Sequence, residues 1–158
     1  MQILDLARYV IKNYPSPEEL SKARLNKIIY LIDWKNALEH DSQMTDIEWK
    51  FNHYGPYVER IENELRSDSR FKIENTINIY GGQKNIISLW EDRYFIEPNE
   101  HEREIIDFII EKTRRLFWND FINLVYSTYP IISQEKGSVL NLVELSKEYK
   151  KILANRYT

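Results

Sequence analysis

Between Ile3 and Tyr14 the apolar positions are Ile3, Leu6, Ala7, Val10, Ile11 and Tyr14. Their spacing of three and four predicts an amphipathic helix. Pro15 ends it. Ser16-Pro17-Glu18-Glu19 then has the form of a helix start: a serine to cap, a proline where no amide hydrogen is needed, and a glutamate to close a capping box. The next helix begins there or restarts at Ser21, and runs to about Glu39. Leu25, Ile28, Ile29, Leu31 and Ile32 bury it from more than one side, which predicts the central helix of the fold.

The segment HDSQMTD at 40–46 is polar and turn-like. Ile47, Trp49 and Phe51 alternate with Glu48 and Lys50, the spacing of a short strand. Gly55-Pro56 is expected to turn the chain, with Pro56 at the tolerated first position of a helix that places Val58, Ile61 and Leu65 on one face. Two β-rich runs follow, Phe71 to Ile79 and Ile86 to Trp90. Gly81-Gly82 lies between them, so a hairpin with a long loop is predicted. Asn99-Glu100-His101-Glu102 repeats the capping-box pattern ahead of Ile105, Ile106, Ile109 and Ile110. Trp118 to Val125 forms a further helix ending near Tyr129-Pro130, Gly137-Ser138 marks a loop, and Leu142 to Leu153 forms the last helix. The expected fold is mainly α: one compact helical domain over residues 1–158, of about six helices, with a small inserted β-hairpin.

Charge and composition narrow the function. The net charge is −3, whereas a phosphate-binding protein carries a basic surplus or a dense basic stripe. The basic runs KTRR and KEYKK read as solvated helix faces, so nucleic acid is an unfavoured partner. There is no cysteine, which excludes disulfides and thiolate metal sites. The first residues lack the pattern of a signal peptide, and no segment has the apolar length of a membrane span; a cytoplasmic protein is expected. The three histidines, His40, His53 and His101, have no partner at metal-site spacing. Ser127 and Ser133 lack a nucleophile-elbow context, and YGGQKN lacks the frame of a phosphate loop. An acid pair such as Asp33 and Glu39 has no placed partner to make it catalytic. No enzyme, cofactor or metal is expected.

What stands out is FNHYGPYVERI at 51–61. On one reading Gly55 supplies a backbone angle other residues resist, Pro56 starts a helix, and Tyr54 and Tyr57 pack inward. On the other, Trp49, His53, Tyr54, Tyr57 and Arg60 form a contact patch, since interfaces are enriched in tyrosine, tryptophan and arginine. A mixture is favoured: Gly55 and Pro56 structural, with His53, Tyr57 and Arg60 the better contact candidates. On the central helix Tyr30 lies one turn before Trp34. Tyr30 is expected in the core, and Trp34 half exposed as a further contact candidate.

LNKIIYLIDW at 25–34, a polar turn, and IEWKFNHYGPYVERIENEL at 47–65 together resemble the Panacea domain, the SocA-like antitoxin family. Lys27, Ile28, Ile29 and Tyr30 match the family's Lys-Leu-Leu-Tyr type helix. Trp49, Tyr54, Gly55, Pro56 and Ile61 match its aromatic segment, and NLVYSTYPI at 123–131 is similar to its C-terminal helix. Many members carry a histidine near the end of that helix, where this chain has Tyr126 or Ser127. The resemblance implies a mostly helical fold, no catalysis, and direct binding of a co-encoded protein toxin. At least one branch of the family delivers its toxin to an AAA+ protease, and relatives occur in phage-linked loci. The partners it implies are a cognate toxin first, then such a protease. A second copy of the chain is a further candidate; the rival readings are an adaptor that delivers its partner to an AAA+ protease, and a DNA-binding regulator.

Overall fold

The computed structural model describes residues 1–77 and 79–156. Helix α1, Ile3–Asn13, buries Ile3, Leu6, Ala7 and Val10 along the predicted stripe. Pro17–Glu19 makes a single 3-10 turn, and the chain restarts as α2, Lys22–His40, where the Ser21 side chain accepts a hydrogen bond from the Arg24 amide. The restart at Ser21 is therefore the correct alternative. Every residue of α2 from Arg24 to Trp34 is buried. Such a helix has no polar face to turn outward and sits at the centre of a fold. Asp41, at φ +56°, ends it in the left-handed conformation.

Strand β1, Trp49–Asn52, and the two-residue β2, Gly55–Pro56, form a tight hairpin with Phe51 opposite Pro56 and Asn52 opposite Gly55. Helix α3, Glu59–Arg66, follows. The predicted hairpin is β3, Phe71–Ile77, with β4, Gln83–Leu89, in register from Phe71 opposite Leu89 to Ile77 opposite Gln83. It is fastened to the 3-10 turn by the Ile87 amide, which donates to the Leu20 carbonyl at 3.1 Å.

Helix α4, Glu100–Thr113, opens with a complete capping box between Asn99 and Glu102. Helices α5, Trp118–Tyr126, and α6, Tyr129–Ser133, follow. Strand β5, Val139–Leu140, pairs antiparallel with β1, so the small sheet runs β2-β1-β5. Helix α7, Leu142–Asn155, is capped by Asn141 and packs with α4 against α2. One apolar cluster takes in side chains from Ile3 through Leu145.

This corrects the expected fold class. Among the described residues there are seven α-helices and five strands in two sheets, a mixed fold rather than a mainly α domain with one hairpin. Two elements account for most of the difference. β2 and β5 are each two residues long, too short to show a period, and β5 reaches β1 from the far end of the chain. Tyr129-Pro130 opens α6, with Pro130 in its first turn; a proline tolerated at a helix start was read as a stop. No described helix is long and apolar enough to cross a membrane.

Candidate functional site

The corner differs from its expected form in a way that changes which side chains it displays. Gly55-Pro56 does not turn the chain; it is strand β2, and the turn is His53-Tyr54. Proline is tolerated in β2 because this is an edge strand, where its missing amide hydrogen leaves no ladder bond unmade. Helix α3 begins three residues later, after Val58. His53 and Tyr54 therefore form the hairpin tip. Both are exposed, Tyr54 by 77%, and their rings meet edge to face at 4.7 Å.

The base beneath this tip is tied down by hydrogen bonds. The Asn26 side chain on α2 donates to the Val58 carbonyl at 2.7 Å and accepts from the Val58 amide at 3.2 Å. Asn52 donates to the Tyr57 carbonyl at 2.9 Å, and the Tyr57 amide donates to the Lys50 carbonyl at 3.1 Å. Gly55 sits at φ +101°, a region that side-chain-bearing residues avoid, and a Cβ there would lie 3.3 Å from the Tyr126 ring. Tyr126 also meets Phe51 edge to face at 6.4 Å. Tyr126 thus packs its ring under the corner.

Trp49 lies on the same strand with its side chain inward and is fully buried. Its indole Nε1 donates to the Asp33 carboxylate at 2.8 Å, and its ring meets Tyr30 edge to face at 5.5 Å. Asp33 also accepts from the Thr45 amide at 2.8 Å and the Thr45 hydroxyl at 2.6 Å. Burial pushes the Asp33 carboxyl up to about 6, against the pull of these donors. Its role is visible in its partners: it ties the central helix to the strand that carries the corner. Tyr30 is buried as expected, its hydroxyl 2.8 Å from that of Thr128.

The remaining candidates separate. Trp34 is buried rather than half exposed, packed beside Tyr149 and lining, with Leu31, Leu38, Phe108 and Leu124, an apolar groove of about 490 Å³. Burial takes Trp34 and Trp49 off the surface of the chain. Arg60 is exposed, with ion pairs to Asp46 and Glu64 at 2.9 Å each. Tyr57 is half-buried; its hydroxyl lies 3.4 Å from Glu62, and its ring faces the Lys27 ammonium at 5.6 Å. So the structure brings His53, Tyr54 and Tyr57 together around the corner, with Arg60 in the first turn of α3.

Sequence reasoning missed two features. Asn26 clamps the corner, and its signal was present as a polar pair, Asn26-Lys27, inside the apolar run of LNKIIYLIDW. Strand β3 and the turn after it also carry exposed apolar side chains, Ile77, Ile79 and Tyr80, which alternation alone could not assign to either face. Among the described residues no cluster of three or more histidine or acidic side chains is placed to hold a metal ion.

These features define a small mixed α/β domain whose corner displays an aromatic hairpin tip on a base locked to the central helix. The chain belongs to the family described as antitoxin SocA-like, Panacea domain, whose model matches residues 25–130, about two-thirds of its length. That span holds α2 from Leu25 on, the corner, the β3–β4 hairpin, and the helices from α3 to the start of α6. No curated protein and no solved structure matches the chain.

Proposed function

We propose that this chain is an antitoxin whose residues 1–158 act as one domain, binding a co-encoded protein toxin directly and blocking it without chemistry of its own. The setting is a toxin–antitoxin or phage-defence locus. Family membership supports the antitoxin role in general. The observation that carries the contact mode is the His53-Tyr54 tip. Two exposed rings stand on a hairpin that Asn26, Asn52 and Tyr126 hold in place, so they are presented without the entropy loss of ordering a floppy loop. Tyr57 and Arg60 extend the patch. A standard interface of roughly 1,600 Å² would be enough for tight inhibition by occlusion. DNA reading is disfavoured by the acidic character of α3, which carries Glu59, Glu62 and Glu64.

The test is co-expression with the product of the adjacent reading frame. That product is expected to arrest growth alone, to be tolerated with this chain, and to co-purify with it. A harmless neighbour that does not co-purify refutes the proposal.

A further inference from the structure

Three cationic side chains are buried among the described residues, Arg8, Arg24 and Lys27, and the fold treats the third unlike the others. Arg8 donates to the carboxylates of Asp92 and Glu97. Arg24 has no carboxylate, yet its guanidinium is held through Nε and Nη2. It donates to the Tyr14 hydroxyl at 2.8 Å and to the carbonyls of Thr113 at 2.8 Å and Leu116 at 2.7 Å, and it lies 4.4 Å from the centre of the Phe121 ring. The Thr113 carbonyl is at the C-terminal end of α4, the negative end of a helix dipole, and Leu116 lies in the short segment that follows. Lys27 is one turn further along α2 and only 2% exposed. Among the described residues its ammonium has no hydrogen bond and no ion pair; its one contact of this kind is the Tyr57 ring at 5.6 Å.

A buried ammonium without a partner is unfavourable. Burial alone pushes the Lys27 amine down to about 8, with no carboxylate near enough to hold it up. Its nitrogen is nevertheless not sealed. No fully enclosed side-chain nitrogen or oxygen lacks a hydrogen-bond partner among the described residues, so the unpartnered Lys27 nitrogen keeps a trace of exposed surface. The side chain as a whole is only 2% exposed, and its charged tip lies beside the Tyr57 ring.

We propose that Lys27 is a receptor for a single carboxylate carried by the partner protein, an aspartate or glutamate side chain entering beside the Tyr57 ring. The proposal rests on the corner being the partner-binding surface. The chemistry of the site selects a monoanion. One ammonium balances one negative charge, and the acidic groups of α3 disfavour a multiply charged phosphate. Glu62, the carboxylate nearest the Tyr57 hydroxyl, is already paired with Lys22 at 3.2 Å and Arg66 at 2.9 Å, and so does not compete for Lys27. With Lys27 so little exposed, its nitrogen is within reach of a slender side chain and not of a broad face. A carboxylate seated there would meet its countercharge away from bulk water, where such a pair is strong.

Two measurements test this. In the first, full-length protein labelled with ¹³C at lysine Cε is titrated by NMR, the Lys27 signal being assigned by its loss in Lys27→Met. With acetate in place of chloride at equal ionic strength, the Lys27 midpoint should rise from near 8 towards the ordinary lysine value of about 10.4. An unmoved midpoint overturns the site. In the second, calorimetry compares wild type and Lys27→Met for binding the adjacent gene product. Lys27→Met should weaken binding ~30-fold or more while melting at or above the wild-type temperature. Equal affinity overturns the use of the site by the partner and leaves the antitoxin reading standing. A neighbour that does not bind even the wild type defeats the antitoxin reading and the partner's part of this proposal together; the acetate titration still decides whether Lys27 receives a carboxylate.

Discussion

Replacing Lys27 by methionine should make the protein more stable, and the gain should fade as pH rises. Methionine keeps a flexible apolar stem of similar length and removes the charge. In the unfolded chain the amine titrates at its ordinary value of about 10.4; in the fold, burial lowers it to about 8. Below pH 8 both states are protonated, and the fold bears the full unfavourable difference. Between about 8 and 10.4 the unfolded state binds more protons than the folded one, so wild-type stability climbs with pH, by about 1.4 kcal/mol per pH unit. Summed over that window the charge destabilises the fold at pH 7 by about 3 kcal/mol. Attraction to the Tyr57 ring returns about 0.5–1 kcal/mol of this.

Lys27→Met should therefore gain about 2–3 kcal/mol at pH 7, a rise in melting temperature of about 5–10 °C for a chain of this size. Urea unfolding of both proteins from pH 7 to pH 9.5 measures it. The upper limit is set by tyrosine. Burial and Asp107 raise the Tyr9 hydroxyl to about 12, and burial raises that of Tyr30 further, so both titrate in the unfolded state first and oppose folding above about pH 10. Within the window the difference between the two proteins should shrink as pH rises. A Lys27→Met protein that is less stable than wild type at pH 7, or a difference independent of pH, would refute the reasoning.

Three further perturbations probe the corner and its support. Gly55→Ala forces a side chain into φ +101° and brings a Cβ to 3.3 Å from the Tyr126 ring; a loss of about 2 kcal/mol by urea unfolding is expected, with Tyr126→Leu relieving only the contact part. Asp33→Ala strands the indole Nε1 of Trp49 and the amide and hydroxyl of Thr45 in the core, which should cost about 3–5 kcal/mol; a loss under about 1 kcal/mol would remove Asp33 from that role. Tyr54→Ala, at an exposed tip, should change stability by less than about 0.5 kcal/mol while weakening toxin binding at least about 10-fold by calorimetry. Unchanged affinity would exclude the tip from the interface.

Elements whose signal is local were legible in the sequence. The stripe of α1, the capping box that opens α4 and the β3–β4 hairpin each follow from residues within a few positions of one another. What escaped depends on pairings between distant segments. The β1–β5 ladder joins Trp49 to Leu140 and Lys50 to Val139, and two residues carry no period to announce it. The corner was misread for a related reason. Gly55-Pro56 has the composition of a turn, but Gly55 takes its positive φ within strand β2 against Tyr126, and that ring arrives from α5. Trp34 and Trp49 illustrate the limit for sites. A tryptophan is both the best interface anchor and a large core filler, and only the Asp33 bond and the Tyr149 packing decide between those roles here.

The polar residues of α2 sharpen what the central helix does. A helix buried on all sides could be wholly apolar, yet this one carries Arg24, Asn26, Lys27 and Asp33 inside the fold. Three of them reach other segments: Arg24 gathers the end of α4, Asn26 clamps the start of α3, and Asp33 holds β1. Each is satisfied by groups far away in sequence, so each fixes one relative placement that apolar packing alone would leave freer. Lys27 reaches nothing of the kind. A buried ammonium with no hydrogen-bond partner, next to Asn26 that clamps the corner, is hard to explain by folding alone, since methionine or leucine would fill a similar volume at lower free energy. On the proposed reading the corner also needs a stiff base: a partner carboxylate would meet an enclosed ammonium only if Tyr57 and the tip were already in position when it arrived.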